Sequence, residues 1–181
     1  MIKFNDVSKA YNSHCALDSV TLAIGKGEFV SIVGQSGAGK STLLKLLIAE
    51  ERPTTGTIFL NDEDITALPH NELPFLRRKI GTIFQDFKLL PHKTASENVA
   101  FAMEVVGREK KEIQEDVMSI LELVGLEQKA KQFPHELSGG EQQRVAIARA
   151  LVHQPDIIIA DEPTGNLDPL STWDIIRLLM K

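Results

Sequence analysis

The residues best placed to do chemistry cluster first at Gly34-Gln35-Ser36-Gly37-Ala38-Gly39-Lys40-Ser41-Thr42, with the spacing G-x-x-x-x-G-K-S. Glycines at those positions let the backbone turn its N–H groups into a nest, and with a helix N-terminus such a nest holds a polyphosphate. Lys40 is placed to neutralise β- and γ-phosphate charge, and the Ser41 hydroxyl to ligate Mg²⁺. A glycine-rich turn that merely joins two elements is the alternative. The flanks argue against it: the apolar run Phe29–Val33 predicts a strand leading in, and Leu43–Ala49 predicts a helix leading out. Gly34 to Thr42 are therefore the candidate nucleotide contacts.

A second group of reactive side chains follows Ile157-Ile158-Ile159-Ala160, an apolar strand that delivers Asp161 and Glu162 at its C-terminal end. Open α/β sheets bind ligands at that end. With a phosphate loop present, Asp161 becomes a candidate for holding Mg²⁺ and Glu162 for orienting or deprotonating an attacking water. Leu137-Ser138-Gly139-Gly140-Glu141-Gln142-Gln143 is a third. Ser138 and Glu141 make a helix-capping box. Gly139 and Gly140 leave backbone N–H groups bare at a positive helix end, which attracts an anion. Since the first loop fills its own site, this helix start is expected to serve the nucleotide of another subunit.

The rest of the chain has to position these groups. Ile2–Val7 and the run through Val20, Leu22 and Ile24 alternate as half-buried strands, with Tyr11 in the loop between them. Two readings of Tyr11 stand side by side, a ring stacked on adenine and a ring packed at the sheet edge. Thr57–Leu60 and Ile80–Phe84 predict further strands, and Asn61–Asp64 a polar turn rather than a cation site. From Phe87 the period becomes helical. Ser96 and Glu97 open a helix that stops at Gly107, and a second runs from Ile113 to Val124. Residues 87–150 thus read as a helical subdomain inserted in an α/β core of residues 1–86 and 151–181.

Composition narrows the partners. The chain has 181 residues, 43% apolar content, a formal net charge of −5 and one cysteine. That suffices for one sizeable core and excludes an internal disulfide. No basic stripe recommends nucleic acid, and Arg77-Arg78-Lys79 and Lys110-Lys111 read as solvated helix ends. No apolar run approaches the roughly 20 residues of a membrane span. A soluble protein is expected, with any membrane role exercised through a partner. The histidines, His14, His70, His92, His135 and His153, read as surface residues.

The order Tyr11, Gly34–Thr42, Gln85, Leu137–Gln143, Asp161-Glu162 and Gly165-Asn166-Leu167-Asp168 resembles the ATP-binding cassette (ABC) ATPases across essentially the whole chain. The resemblance implies a P-loop fold of the α/β class: a mostly parallel sheet with flanking helices, antiparallel strands at the N-terminus and a helical insert. It implies a head-to-tail pair of cassettes with two ATP molecules between them. Ser138, Gly139 and Gly140 would meet the γ-phosphate on the partner's loop, Gln85 would sense Mg²⁺ and γ-phosphate, and Asp168 would couple the two sites.

Phe84–Pro91, Glu97–Phe101 and Ala160–Pro169 also resemble the bacterial cell-division branch of that family, and lipoprotein-release ATPases share much of the last segment. Division ATPases dock on a membrane partner, FtsX, that controls peptidoglycan hydrolysis. That implies a peripheral place on the cytoplasmic face of the cell membrane. Phe87, Leu89, Leu90 and Pro91 are either part of a docking groove or core of the helical insert. Two alternatives are an export ATPase and a signalling module without turnover. Family members continue with a strand ending in a histidine that contacts the γ-phosphate, between the P-loop strand and that of Asp161. No histidine follows Asp168 here. The expectation is therefore a truncated, incomplete cassette domain, with nucleotide binding ahead of turnover.

Overall fold

The computed structural model describes residues 1–12 and 14–179, in two compact units, Met1–Arg77 and Arg78–Lys181. In the first, β1 (Ile2–Tyr11), β2 (His14–Ile24), β3 (Thr55–Leu60) and β4 (Glu63–Asp64) form an antiparallel sheet in the order β2-β1-β3-β4. Alternation buries Ile2 and Phe4 on one face of β1, and Ile58 and Leu60 on one face of β3. The β1–β2 register shifts between Phe4 and Val7, where Asp6 turns to φ 51 and returns Val7 to full burial. Asn61 and Asp62, at φ 48 and 64, make the tight β3–β4 turn, while Glu63 and Asp64, expected in the same turn, pair with β3 as a strand. The first helix, α1 (Lys40–Leu47), buries Leu43, Leu46 and Leu47. Arg77 donates to the carbonyls of Ile48 and Ala49 at 3.1 and 3.2 Å. One exposed member of the basic cluster thus also caps a helix end.

Two expectations for this unit fail. Residues 29–33 are not a strand and hydrogen-bond to nothing among the described residues. Phe29 is 68% and Val33 90% exposed. The physical reason is that a strand exists only through its ladder, and the sheet of this unit ends in β2 and β4 without taking up the run. Tyr11 is not in a loop but closes β1, paired with His14.

In the second unit β5 (Ile80–Ile83) and β6 (Ile157–Ala160) pair in parallel. Around them lie α3 (Ala95–Val105), α4 (Lys110–Leu123), α5 (Gly139–Leu151) and α6 (Pro169–Leu179); the short α2 (Leu73–Arg78) falls at the end of the first unit. Antiparallel strands at the N-terminus and a parallel pair with helices packed on it are the α/β class expected. Val99 and Met103 of α3, Val117 and Leu121 of α4, and Val145 and Ala148 of α5 share one core. Ile83, Ile147, Ala150 and Ile175 join β5 to α5 and α6 in another. At their contact a Cβ on Gly81 would stand 2.3 Å from the Ala150 carbonyl oxygen, so only glycine lets α5 lie this close to β5.

The start of α3 differs from the expectation. Thr94, not Ser96, is the N-cap, and with Glu97 it forms a capping box. Asn98 on that helix is fully buried. Its Oδ1 accepts from the Leu90 amide at 2.7 Å, and its Nδ2 donates to the carbonyls of Leu90, Lys93 and Thr94 at 3.0–3.1 Å. Asn98→Ala takes the hydrogen-bond partner from the Leu90 amide and the Lys93 carbonyl, at about 1–3 kcal/mol for each left unsatisfied. A total loss of about 3 kcal/mol lowers the melting temperature by about 6–12 °C, which thermal unfolding followed by circular dichroism would measure. His153 also departs from its surface assignment: it is half-buried, and burial pushes its imidazole below the ordinary value.

Candidate functional site

In the first unit the loop from Gly34 turns at Gln35, whose carbonyl accepts from Ala38 at 3.2 Å. It enters α1 at Gly39, which has φ 88. A Cβ there would stand 2.4 Å from the Ala16 carbonyl oxygen, so the site tolerates only glycine on grounds of both space and backbone. No side chain caps α1 and no acid lies in its first turn. Its leading amides keep their partial positive charge. The Lys40 ammonium donates to the carbonyls of Gly34 and Gln35 at 3.0 and 3.1 Å, closing the loop over itself. A glycine cradle, an uncapped helix start and an ammonium in the loop fit a polyphosphate. Tyr11 is half-buried, and Lys9 Nζ lies 4.8 Å from its ring centroid. One face of the ring is therefore already in contact with a cation.

In the second unit β5 and β6 end together. The Asp161 amide donates to the Ile83 carbonyl at 2.9 Å, which sets Asp161 beside the exit of β5. Glu162 then takes φ 45, and the Gly165 amide returns to its carbonyl at 3.0 Å. A Cβ on Gly165 would stand 3.1 Å from Gln85 Nε2 and 3.5 Å from Glu162 Oε2. The heads of Gln85 and Glu162 thus border the same small space, and Asn166 Nδ2 holds the Gln85 carbonyl at 2.9 Å. A non-glycine residue at positive φ stores roughly 1–3 kcal/mol of strain. Here it turns the one carboxylate that follows Asp161 toward the glutamine.

The third group forms as its capping box predicts. Ser138 is the N-cap of α5, and the Glu141 carboxylate accepts from the Ser138 amide at 2.9 Å and from Lys129 Nζ. The hydrogen bond from Lys129 holds the Glu141 carboxyl below its ordinary 4.5 against the opposing effect of burial, and the Ser138 backbone adds to the lowering. A depressed folded value means that the stabilisation is complete above about 4.5 and is lost as pH falls through the folded value. Melting curves should therefore show wild type above Glu141→Gln at pH 7, with the gap closing below pH 4.5.

The paired glycines have a partly structural reason that the sequence did not reveal. A Cβ on Gly140 would meet Ser171 Oγ at 2.7 Å. That hydroxyl is held by Asp168 Oδ2 at 2.6 Å, and Asp168 Oδ1 accepts from the Ser171 amide at 3.0 Å. Gly140 is thus buried against the start of α6, while Gly139 stays half-exposed. The group brought together in this unit is Gln85, Asp161, Glu162 and Asn166 at the strand ends, and Ser138–Gly140 with Asp168 and Ser171 at two helix starts.

Two residues went unnoticed in sequence. Asn98 falls on the buried stripe Ala95, Val99, Met103 of α3, and a lone amide on an apolar stripe was a legible signal. Arg149 is the one charge in the run Val145–Val152. It is half-buried, and it donates to the carbonyls of Lys88 and Phe87 at 2.6 and 2.7 Å. Of the proposed docking residues, Leu89 packs on the core that α3, α4 and α5 share. Phe87 and Leu90 are half-buried and Pro91 is exposed.

Comparison with known proteins adds four findings. The ABC transporter family matches residues 17–165. The chain is 54% identical over 180 residues to the cell division ATP-binding protein FtsE of Bacillus subtilis (strain 168), covering 99% of this chain and 79% of that one. It is 51% identical over 186 residues to the methionine import ATP-binding protein MetN 1 of Bacillus thuringiensis subsp. konkukian (strain 97-27), covering all of this chain and 55% of that one. Among solved structures, the dimeric post-hydrolysis state of the ATP-binding cassette MJ0796 bound to ADP and Pi superposes with a TM-score of 0.89 at 41% identity. That match covers 99% of this chain and 81% of the other.

Proposed function

The chain belongs to the ABC transporter family, and from that premise we propose that it is the ATP-hydrolysing subunit of a membrane complex of bacterial cell division. The observation that carries the division role is the 54% identity to FtsE over 99% of the chain. No helix among the described residues is long and apolar enough to cross a membrane. By its likeness to FtsE, the subunit works on the cytoplasmic face through an integral membrane partner resembling FtsX.

ATP is the substrate. The amides of Gly34–Thr42 and the Lys40 ammonium bind its phosphates, and forming that contact releases Lys40 from the Gly34 and Gln35 carbonyls. By resemblance to the family, the Ser41 hydroxyl, Asp161 and the Gln85 side-chain oxygen would each be a ligand for Mg²⁺. They are hard oxygen ligands of the kind that ion takes when it also holds substrate phosphates. When bound, Mg²⁺ neutralises charge on the β- and γ-phosphate oxygens. The Glu162 carboxylate orients the attacking water and accepts its proton, and Gln85 borders the same space. Ser138, Gly139 and Gly140 present the start of α5 to the nucleotide of a second copy, and Asp168 holds the Ser171 side chain that stands against Gly140. The dimeric state of the related cassette supports such a pair.

The docking surface is Phe87, Leu90 and Pro91, with Leu89 beneath them. Co-purification of the chain with the FtsX-like protein from detergent-solubilised membranes tests it. Phe87→Ala with Leu90→Ala should lose the partner, and undiminished recovery would defeat this surface. The MetN match favours a second reading, nutrient import. Recovery of a transport permease in place of the division protein would establish that instead.

A further inference from the structure

Directly after Gln85 the chain makes a turn that its residue types resist. Phe87 and Lys88 are consecutive non-glycine residues at φ 58 and 45. Each left-handed residue costs about 1–2 kcal/mol, and the pair persists only if the surroundings over-determine it. Backbone bonds within the turn, Phe87 N–H to Phe84 O at 3.2 Å and Lys88 N–H to Asp86 O at 2.6 Å, are local and form with the turn itself. The outside grip on the two left-handed residues is Arg149, whose two terminal nitrogens donate to their carbonyls.

That grip is specific in geometry. A guanidinium presents parallel donors in a rigid planar fork, pre-organised to span two carbonyls at once, whereas an ammonium is a point charge on a flexible stem. Burial lowers the Arg149 pKa, no carboxylate among the described residues pairs with it, and an arginine remains charged regardless. A cation withdrawn from water and held by the turn's carbonyls stabilises the one backbone conformation that presents both at once. Arg149 lies in the last turn of α5, whose own C-terminus would also attract it. The donors nonetheless go to the neighbouring turn.

We propose that Arg149 is a positioning residue for ATP hydrolysis, a two-pronged strut through which helix α5 sets the placement of Gln85. The helix begins at Ser138–Gly140 and ends at this strut. A body of 13 residues at about 1.5 Å per residue therefore links the proposed contact with a second copy's nucleotide to the turn beside Gln85. From the other side Asn166 holds the Gln85 carbonyl, and Asn98 holds the loop farther on at Leu90. Gln85 is thereby clamped between Asn166 and the strut. This inference rests on the ATPase reading above.

The test compares the full chain with Arg149→Gln and Arg149→Lys for thermal unfolding, binding of a fluorescent ATP analogue with Mg²⁺, steady-state hydrolysis, and hydrogen exchange of peptides covering residues 85–90 and 139–149. Arg149→Gln should keep nucleotide Kd and KM within about threefold while kcat falls about tenfold or more. Exchange at 85–90 should rise at least tenfold with 139–149 unchanged. Arg149→Lys, which keeps the charge but lacks the pre-organised planar fork, should fall between the two in both readouts. Unchanged exchange at 85–90 overturns the strut, and so does a rise spread equally over both peptides, which would mark plain destabilisation. A kcat loss no greater than the loss of folded protein also overturns it. If wild type does not hydrolyse ATP, the hydrolysis reading fails instead, and the exchange comparison alone decides whether Arg149 holds the turn.

Discussion

Glu162→Gln should retain Mg-ATP binding while hydrolysis falls by roughly 10²–10⁴-fold, the usual worth of a positioned general base. The substitution is isosteric and leaves the P-loop untouched, so the phosphate contacts of Gly34–Thr42 and Lys40 survive. It also keeps the turn at φ 45, because glutamine meets the same backbone cost as glutamate. What disappears is the acceptor for the water's proton, whose head lies next to Gly165 and near the Gln85 amide. Binding of a fluorescent ATP analogue and phosphate release, measured on the same preparation, separate the two effects. Equal hydrolysis by wild type and Glu162→Gln would remove Glu162 from the role.

The second large effect falls on binding itself. Gly39→Ala places a methyl group 2.4 Å from the Ala16 carbonyl oxygen on a residue at φ 88. The backbone term alone costs about 1–2 kcal/mol, and the clash forces the loop or β2 to move as well. Because Gly39 is the N-cap of α1, any shift misdirects the leading amides that the phosphates would use. Affinity for Mg-ATP should fall at least about tenfold, the equivalent of 1.4 kcal/mol, and by much more if the loop reorganises. Isothermal titration measures it directly. An alanine variant that binds as well as wild type would show that the loop amides do not form the phosphate site.

Local patterns in this chain were legible where a residue's neighbours in sequence are also its neighbours in space. The capping box at Ser138 and Glu141 depends on contacts within a few residues and formed as read, and so did the Asn61-Asp62 part of the polar turn, whereas the strand before Asp161-Glu162 formed because β5 is there to pair with it. Where the outcome depended on distant partners, sequence was less informative. Phe29–Val33 has every property of a strand except one to pair with. Gly140 looked like a bare anion site until Ser171, far along the chain, was found against it. The α3 cap moved from Ser96 to Thr94, where the flanking backbone is extended and Glu97 stands at the third helical position. Arg149 could be seen in sequence as a misplaced charge, but the carbonyls it holds lie 61 and 62 residues away.

The exposed run before the phosphate loop has a consequence for how the purified chain behaves in concentrated solution. Phe29-Val30-Ser31-Ile32-Val33 is uncharged, free of proline and made almost entirely of strong β-formers, the composition of a steric-zipper segment. Its backbone donors and acceptors are unspent, and Glu28 is the nearest charge able to act as a gatekeeper. Like segments from two molecules can therefore satisfy each other without any unfolding. Colloidal self-association through this run, rather than the melting of either unit, is expected to set the upper limit on protein concentration.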